Sequence, residues 1–464
     1  MCVNLMGISE LSQSIGASYI GNSLQDKGFF SVAIDSRNVK DKGLFFALKG
    51  NICDGHSFVK NAFDKGAYAA VVESSKLEKY NLLDLAQKYG KDLIVTDNSL
   101  KCLQDSARVY LEKFPNLVKV GITGSSGKTT TKEIACAIIS CEKNTVMNKG
   151  NLNSETGLPL SVFEVRGCHE VGIFELGMNR KNEISEITCV LKPNIAAVTN
   201  IGTAHIEFFG SKSKILKEKK CIFNYLNKDD VAIIPKEDEY AAQLADGVNA
   251  VIRYYGAGTF DELEGTRSLG LEGTEIIWAG EKIHFPLPGK HSLHDALTAI
   301  AIAREIPVSN NAIKEGLESV KSLFGRLEII RGRTTVIHDC YNANPESTAK
   351  SIEFCDSIDS IRKIYVIGDM LELGDASVSA HAHIGELLAF SKADKVFLFG
   401  SEITAATEYL YNANKDYFHT DDIEELSAAI DSFIKNGDLV LLKGSRGLAL
   451  ERLTDMLIGG NYDT

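Results

Sequence analysis

The chain has 464 residues, 44% of them hydrophobic and 24% charged, with a formal net charge of -12. That length predicts roughly two to four domains, and the acidic balance excludes a nucleic-acid coat or an anionic membrane surface as the main partner. No apolar run approaches the ~18 residues that span a bilayer, and no Lys or Arg before Lys27 supplies the charged start of a secretory signal. Ten cysteines without a CxxC pair read as reduced thiols, so a soluble cytoplasmic protein is expected.

Residues 1–100 read as a small mixed α/β domain. The short apolar runs FFSVAID, GLFFALKG, AYAAVVE and DLIVTD alternate there with turn signals. A helix is predicted over 100–114, ended by Pro115 and Asn116. The central region, 101–322, continues with the strand VKVGIT (118–123), a glycine-rich loop, and a helix over 128–141. EVGIFELG (170–177) and NIAAVTNIG (194–202) are continuous apolar runs, which suit a parallel sheet covered on both faces. The region closes on the apolar helix HSLHDALTAIAIAREI. From 323 to 464, TTVIHD, KIYVIGDM, KVFLFG and DLVLLKG alternate with helices starting near Pro345, Ser379, Ser401 and Asp421, and GRLEII leads in. This alternation predicts a Rossmann-like doubly wound domain. The fold class is therefore α/β throughout, in three domains.

The loop GITGSSGKTTTKE carries the strongest chemistry. The usual phosphate loop has a glycine five residues before its Gly-Lys pair, and here Ile122 stands there. What remains is Gly124-Ser125-Ser126-Gly127-Lys128-Thr129, followed by Thr130, between a strand and a helix. Inward backbone N–H groups and the positive end of the helix suit a polyphosphate. Lys128 is placed to neutralise the phosphates and Thr129 to ligate Mg²⁺. Glu175 ends an apolar strand and His205 follows another, so both are candidate metal ligands on the same expected sheet edge; an ordinary strand-end carboxylate and a structural histidine are the plain alternatives. KSKILKEKK (212–220) is a solvated helix face by default, or a contact for an anionic substrate. In HDCYNANPES, Asn344 and Pro345 start a helix, which leaves Asp339 and Asn342 for a ligand. KGSRG (443–447) is read either as a simple helix cap or as an anion site built on Lys443, Arg446 and bare helix amides.

Taken together, GSSGKTT, GNLNSETGLPL, FELGMN, TNIGTAHIEFFGS, PLPGKHS, GRLE, DCYNANP, GDMLELG and KGSRG resemble the Mur ligases, over almost the whole chain. YNANP with GDMLELG is nearest to the branch that adds D-Ala-D-Ala, and the shortened loop is the form this family uses. The resemblance implies an ATP-dependent ligase that joins D-Ala-D-Ala to UDP-N-acetylmuramoyl-tripeptide through an acyl phosphate. It implies ATP, two Mg²⁺ ions and a carbamoylated Lys219, small-molecule substrates, no nucleic acid, and a monomer. Asp35-Ser36-Arg37 and the DGH around His56 match the uridine-nucleotide motifs, and Asn151 lies in a substrate-binding motif. Lys128 contacts phosphate; Thr129 and Glu175 hold the first ion; His205 and Lys219 support the second. Arg326 reaches the phosphates, Asp339 the ribose, and Asn342 lies near the nucleotide, while Lys443 and Arg446 serve the incoming substrate. Ser292 and Asp295 stand where the family has two asparagines at the adenine, and Cys221 stands where a glutamate is common. A sister ligase with another amine substrate, and a nucleotide-binding scaffold without catalysis, are the alternatives.

Overall fold

Four sheets and one short strand pair organise the chain in a computed structural model that describes residues 4–21 and 27–460. The N-terminal sheet has five strands, in the order Ser18–Ile20, Asp92–Thr96, Ala69–Glu73, Leu44–Phe46, Val32–Ala33, antiparallel only at its first pair. The helix Ser99–Leu111 follows, with the Asn98 side chain accepting the Lys101 N–H at 2.9 Å as its N-cap. Its buried residues Leu103, Ala107 and Tyr110 join one apolar cluster that spans the N-terminal sheet and the central domain.

The central sheet is six-stranded and all-parallel, in the order Val251–Tyr255, Val231–Pro235, Ile195–Val198, Val118–Thr123, Val171–Glu175, Thr145–Met147. The inner strands Val231–Pro235, Ile195–Val198 and Val171–Glu175 are buried along their whole length, so their sequences are continuous apolar runs rather than alternations, whereas the edge strand Val251–Tyr255 exposes Arg253 and Tyr254. Val118–Thr123 is the pivot. Glu175 pairs in register with Ile122 on one side and Val198 with Thr123 on the other, so three strand ends reach the same edge. Beside this sheet stands an antiparallel one, Leu263–Ser268, Thr274–Trp278 and Glu281–Phe285, which sequence analysis did not anticipate.

The C-terminal sheet runs Glu328–Arg331, Thr335–Asp339, Leu439–Lys443, Lys363–Gly368, Lys395–Phe399, Tyr417–Thr420, parallel except for its first hairpin. It is covered on both faces by its own apolar clusters. The expected helices at Pro345 and near Ser379 form as Pro345–Ser357 and Ser377–Phe390, and the last as Ile423–Phe433. Two expectations are corrected. After Ser401 the chain makes a 3₁₀ turn before the short helix Thr407–Asn412. After Lys443 it makes two 3₁₀ turns, Arg446–Leu448 and Leu450–Leu453, before the short α-helix Thr454–Ile458, so no α-helix starts at KGSRG. Among the described residues, no helix is long and apolar enough to cross a membrane, and no disulfide forms.

Candidate active site

Gly124–Thr129 turns from the pivot strand into the helix Lys128–Ile139, and the turn allows no side chain at two of its glycines. A Cβ on Gly124 would lie 1.7 Å from the Thr199 hydroxyl, which donates to the Ser126 carbonyl at 2.6 Å. Gly127 has φ 78°, and a Cβ there would lie 2.1 Å from the Asp295 carboxyl. The segment after the neighbouring strand braces the loop. Ser125 N–H donates to the Asn200 carbonyl and Ser126 N–H to the Asn200 side chain, each at 3.1 Å. Those two amides are thus spent inside the protein. The unbonded donors of the first helical turn, at Gly127–Thr130 on the cavity wall, are the ones left for an anion.

The side chains of this loop converge. The ammonium groups of Lys128 and Lys219 both donate to the Gly124 carbonyl, at 2.8 and 2.9 Å. Burial lowers the pKa of each; for Lys128, Arg326 adds to this and Glu175 opposes it, and for Lys219 the charge of Lys128 adds. The Thr129 hydroxyl donates to one Glu175 oxygen at 2.7 Å, and Asn153 donates to the other at 2.7 Å. Arg326, from the C-terminal domain, reaches Thr129 Oγ1 at 3.0 Å and lies 4.1 Å from the centre of the Tyr341 ring.

A cavity of ≈ 260 Å³ joins most of these groups. Ser125, Ser126, Glu175, His205, Asn151, Ser292, Asp295, Arg326, Asp339, Asn342 and Lys443 line it together with Gly127–Thr130. Several are already committed. His205 Nδ1 lies 2.6 Å from the Glu372 carboxylate of the C-terminal domain, which His205 holds below the usual glutamate range. Asp339 is gripped by Lys443 at 2.8 Å, by the Ser351 hydroxyl at 2.6 Å and by the Leu327 N–H at 3.3 Å. Lys443 also donates to the Asn342 carbonyl at 3.0 Å while lining the cavity. Asp295, 6% exposed, is pushed up to about 8 by burial, against the pull of Lys350 and Arg326.

Other expected residues stand apart. Arg446 does not line the cavity; it pairs with Glu451 at 2.7 Å and lies over the Phe324 ring. Asp35, Ser36, Arg37 and His56 are on the N-terminal domain, away from the loop. Asp35 and the exposed Arg37 form a fork, at 2.7 and 3.0 Å, that holds the Asp35 carboxyl down at about 2. His56 is buried: its Nε2 accepts the Glu73 N–H at 2.9 Å, so its Nδ1 carries the proton toward Asp54 at 2.6 Å. Both ring nitrogens are used, so His56 shapes its loop rather than presenting a free ring nitrogen. Sequence reasoning missed Asn153, Lys350, Glu346 and Glu372. The asparagine-rich run NKGNLNSETG was the available signal for the first; the others depend on how the domains meet.

Comparison with known proteins identifies the relatives of the chain. Family models match as the Mur ligase family catalytic domain over residues 30–109, the Mur ligase middle domain over 122–303 and the Mur ligase glutamate ligase domain over 325–446. The UDP-N-acetylmuramoyl-tripeptide–D-alanyl-D-alanine ligase of Treponema pallidum is 38% identical over 455 residues, 98% of this chain and 99% of that one. Its Bacillus subtilis counterpart is 31% identical over 97% of this chain and 98% of its own. A crystal structure of MurF from Acinetobacter baumannii superposes with a TM-score of 0.88 at 27% identity, covering 98% of this chain and 100% of that one. The MurF ligase of Thermotoga maritima in complex with ADP gives 0.77 at 26%, covering 92% and 97%. A phosphate loop facing an arginine across a domain boundary, in a chain alike end to end to these ligases, belongs to the Mur ligase family.

Proposed function

We propose that the chain is the ATP-dependent ligase that joins D-alanyl-D-alanine to UDP-N-acetylmuramoyl-tripeptide, in the cytoplasmic synthesis of peptidoglycan precursors. The single cavity in which the phosphate loop and Glu175 face Arg326, Asp339 and Asn342 carries this reading. Relatives of that name match over nearly the full length of the chain. The working units are 1–100 for the uridine nucleotide, 101–322 for ATP, and 323–464 for the incoming dipeptide and the rest of the ATP site, in a monomer.

The residues present fit a magnesium nucleotide. The Lys128 ammonium at the Gly124 carbonyl supplies positive charge that a triphosphate answers. The Thr129 hydroxyl and Glu175 carboxylate are hard oxygen donors on the cavity wall, and magnesium takes one or two carboxylates with phosphate and water. When bound, it offsets the charge between the reacting anions. Glu175 and Thr129 would hold the first ion, and His205 with a carbamoylated Lys219 the second. A lowered amine pKa favours that modification: neutral Lys219 attacks carbon dioxide, an N–C bond forms and a proton leaves.

The terminal carboxylate of the tripeptide attacks the γ-phosphorus of ATP, the bridging P–O bond breaks and ADP leaves. Lys128 and Arg326 lower the repulsion between the two anions. The amine of D-Ala-D-Ala, having shed its ammonium proton, attacks the acyl carbon. The C–O bond to phosphate then breaks, and the new amide loses its extra proton to solvent. Alignment between two domains supplies up to ~7–11 kcal/mol of the acceleration, and closure keeps water from the acyl phosphate. Product mass spectrometry with D-Ala-D-Ala and tripeptide nucleotides carrying either meso-diaminopimelate or L-Lys tests the reading. A pentapeptide nucleotide with stoichiometric ADP is expected from one or both. ADP released equally without D-Ala-D-Ala would overturn it.

A further inference from the structure

Glu175 is held from behind as well as from the cavity. The parallel ladder between Thr145–Met147 and Val171–Ile173 stops two residues short of it. There the side chain of Asn148 replaces the missing ladder. Its Oδ1 accepts the Glu175 N–H at 2.9 Å, and its Nδ2 donates to the Glu175 carbonyl at 3.0 Å and to the Leu152 carbonyl at 2.9 Å. Asn148 is fully buried and outside the cavity lining, so it touches no ligand. Its own carbonyl accepts from the Lys132 ammonium at 2.7 Å. That ammonium is also fully buried, with the Glu133 carboxylate 3.2 Å away.

Burying an ammonium is costly even with a carboxylate beside it. What it joins is informative. Lys132 sits on the helix whose first turn carries Thr129, and Asn148 grips the strand end that carries Glu175. The bracket therefore ties together, from outside the cavity, the two elements whose side chains meet at 2.7 Å inside it. Asn148 also anchors the turn that delivers Asn153 to the second Glu175 oxygen. We infer that Asn148, anchored by Lys132, is a positioning residue that sets Glu175 against Thr129 for the divalent cation of a bound nucleotide. This rests on the ATP site proposed above and adds a support lying wholly outside it.

The test uses the full-length protein with ADP, Mn²⁺ as the probe ion followed by electron paramagnetic resonance, and ADP affinity in EDTA by calorimetry. Asn148→Ala and Lys132→Met each weaken Mn²⁺ binding to the ADP complex by about tenfold or more, while metal-free ADP affinity stays within about twofold. Asn148→Ser, which keeps a hydroxyl donor, falls between wild type and Asn148→Ala and serves if the alanine variant does not fold. A folded variant with unchanged Mn²⁺ affinity, or one losing metal-free ADP affinity by the same factor, overturns the inference and leaves Asn148 a core residue. A wild-type ADP complex that takes up no Mn²⁺ overturns the nucleotide-site reading itself, and this inference with it.

Discussion

Asp295 shows how much one buried carboxyl can reveal. It lies against Gly127 of the phosphate loop, with Lys350 and Arg326 as the charges facing it, and burial raises it from the ordinary 3.8 to about 8. A group raised in the folded state keeps a proton that the unfolded chain has already released. Stability therefore falls as pH rises through the window from about 4 to 8, then levels off. In denaturant titrations, wild type should lose stability relative to Asp295→Asn by about 1.4 kcal/mol per pH unit between roughly pH 5 and 7. Equal slopes would show the carboxyl ionised in the folded protein. Lys128 belongs to the same scale. Lys128→Ala removes the ammonium nearest the loop amides, and turnover should fall by about 10²–10³ or more with the melting temperature little changed. Retained turnover would separate the loop from the chemistry.

At the scale of elements, Pro345–Ser357 is the helix that brings the C-terminal domain to the cavity. Asn344 caps it: its Oδ1 accepts the Ser347 N–H at 2.8 Å, and Ser347 Oγ accepts the Asn344 N–H at 3.1 Å. Pro345 sits where the helix has no use for an N–H. Asn344→Ala should destabilise the protein by about 1 kcal/mol in calorimetry, and Asn344→Ser by less. Losses of equal size would mean that the cap is not what holds this turn. This grammar is legible in NANPES itself. The turns after KGSRG were not: Ser445 gives its N–H to the Asp369 carbonyl and its hydroxyl accepts the Leu371 N–H, and the chain tightens into two 3₁₀ turns before the short α-helix Thr454–Ile458.

The whole molecule is two differently joined parts. The N-terminal and central sheets share an apolar cluster, whereas the buried clusters of the C-terminal sheet are built from its own residues, with Ile206 and Leu271 of the central domain packed against one of them, and polar contacts join the two domains as well. Glu346 accepts the Thr203 N–H at 3.1 Å and the Thr203 hydroxyl at 2.6 Å, with Lys212 at 3.5 Å. Glu372 meets His205 two residues further along the same loop, and Arg326 meets Thr129. Such an interface opens more readily than a shared core. Charged hydrogen bonds are each worth about 1.5–3 kcal/mol, so Glu346→Ala should shift the equilibrium toward an open form by about tenfold or more. Small-angle scattering of the nucleotide-free protein would show a larger radius, and kcat would fall more than the KM for ATP. An unchanged radius with unchanged kcat would rule out Glu346 as a latch.

The order of residues alone determined the local features: the strand Val118–Thr123 at its observed limits, the loop glycines, the Asn344 cap and the apolar runs of the buried strands. Each of these depends on neighbours along the chain, where sterics, hydrogen-bond geometry and hydrophobic period act over a few residues. Only the tertiary structure decided that Asn148 and Lys132 stand behind Glu175, that His56 turns inward, that Arg446 leaves the cavity for Glu451, and that Glu346 and Glu372 close on one loop. Those outcomes follow from strand order and domain docking. They are set by burying surfaces far apart in the sequence, which no local pattern encodes.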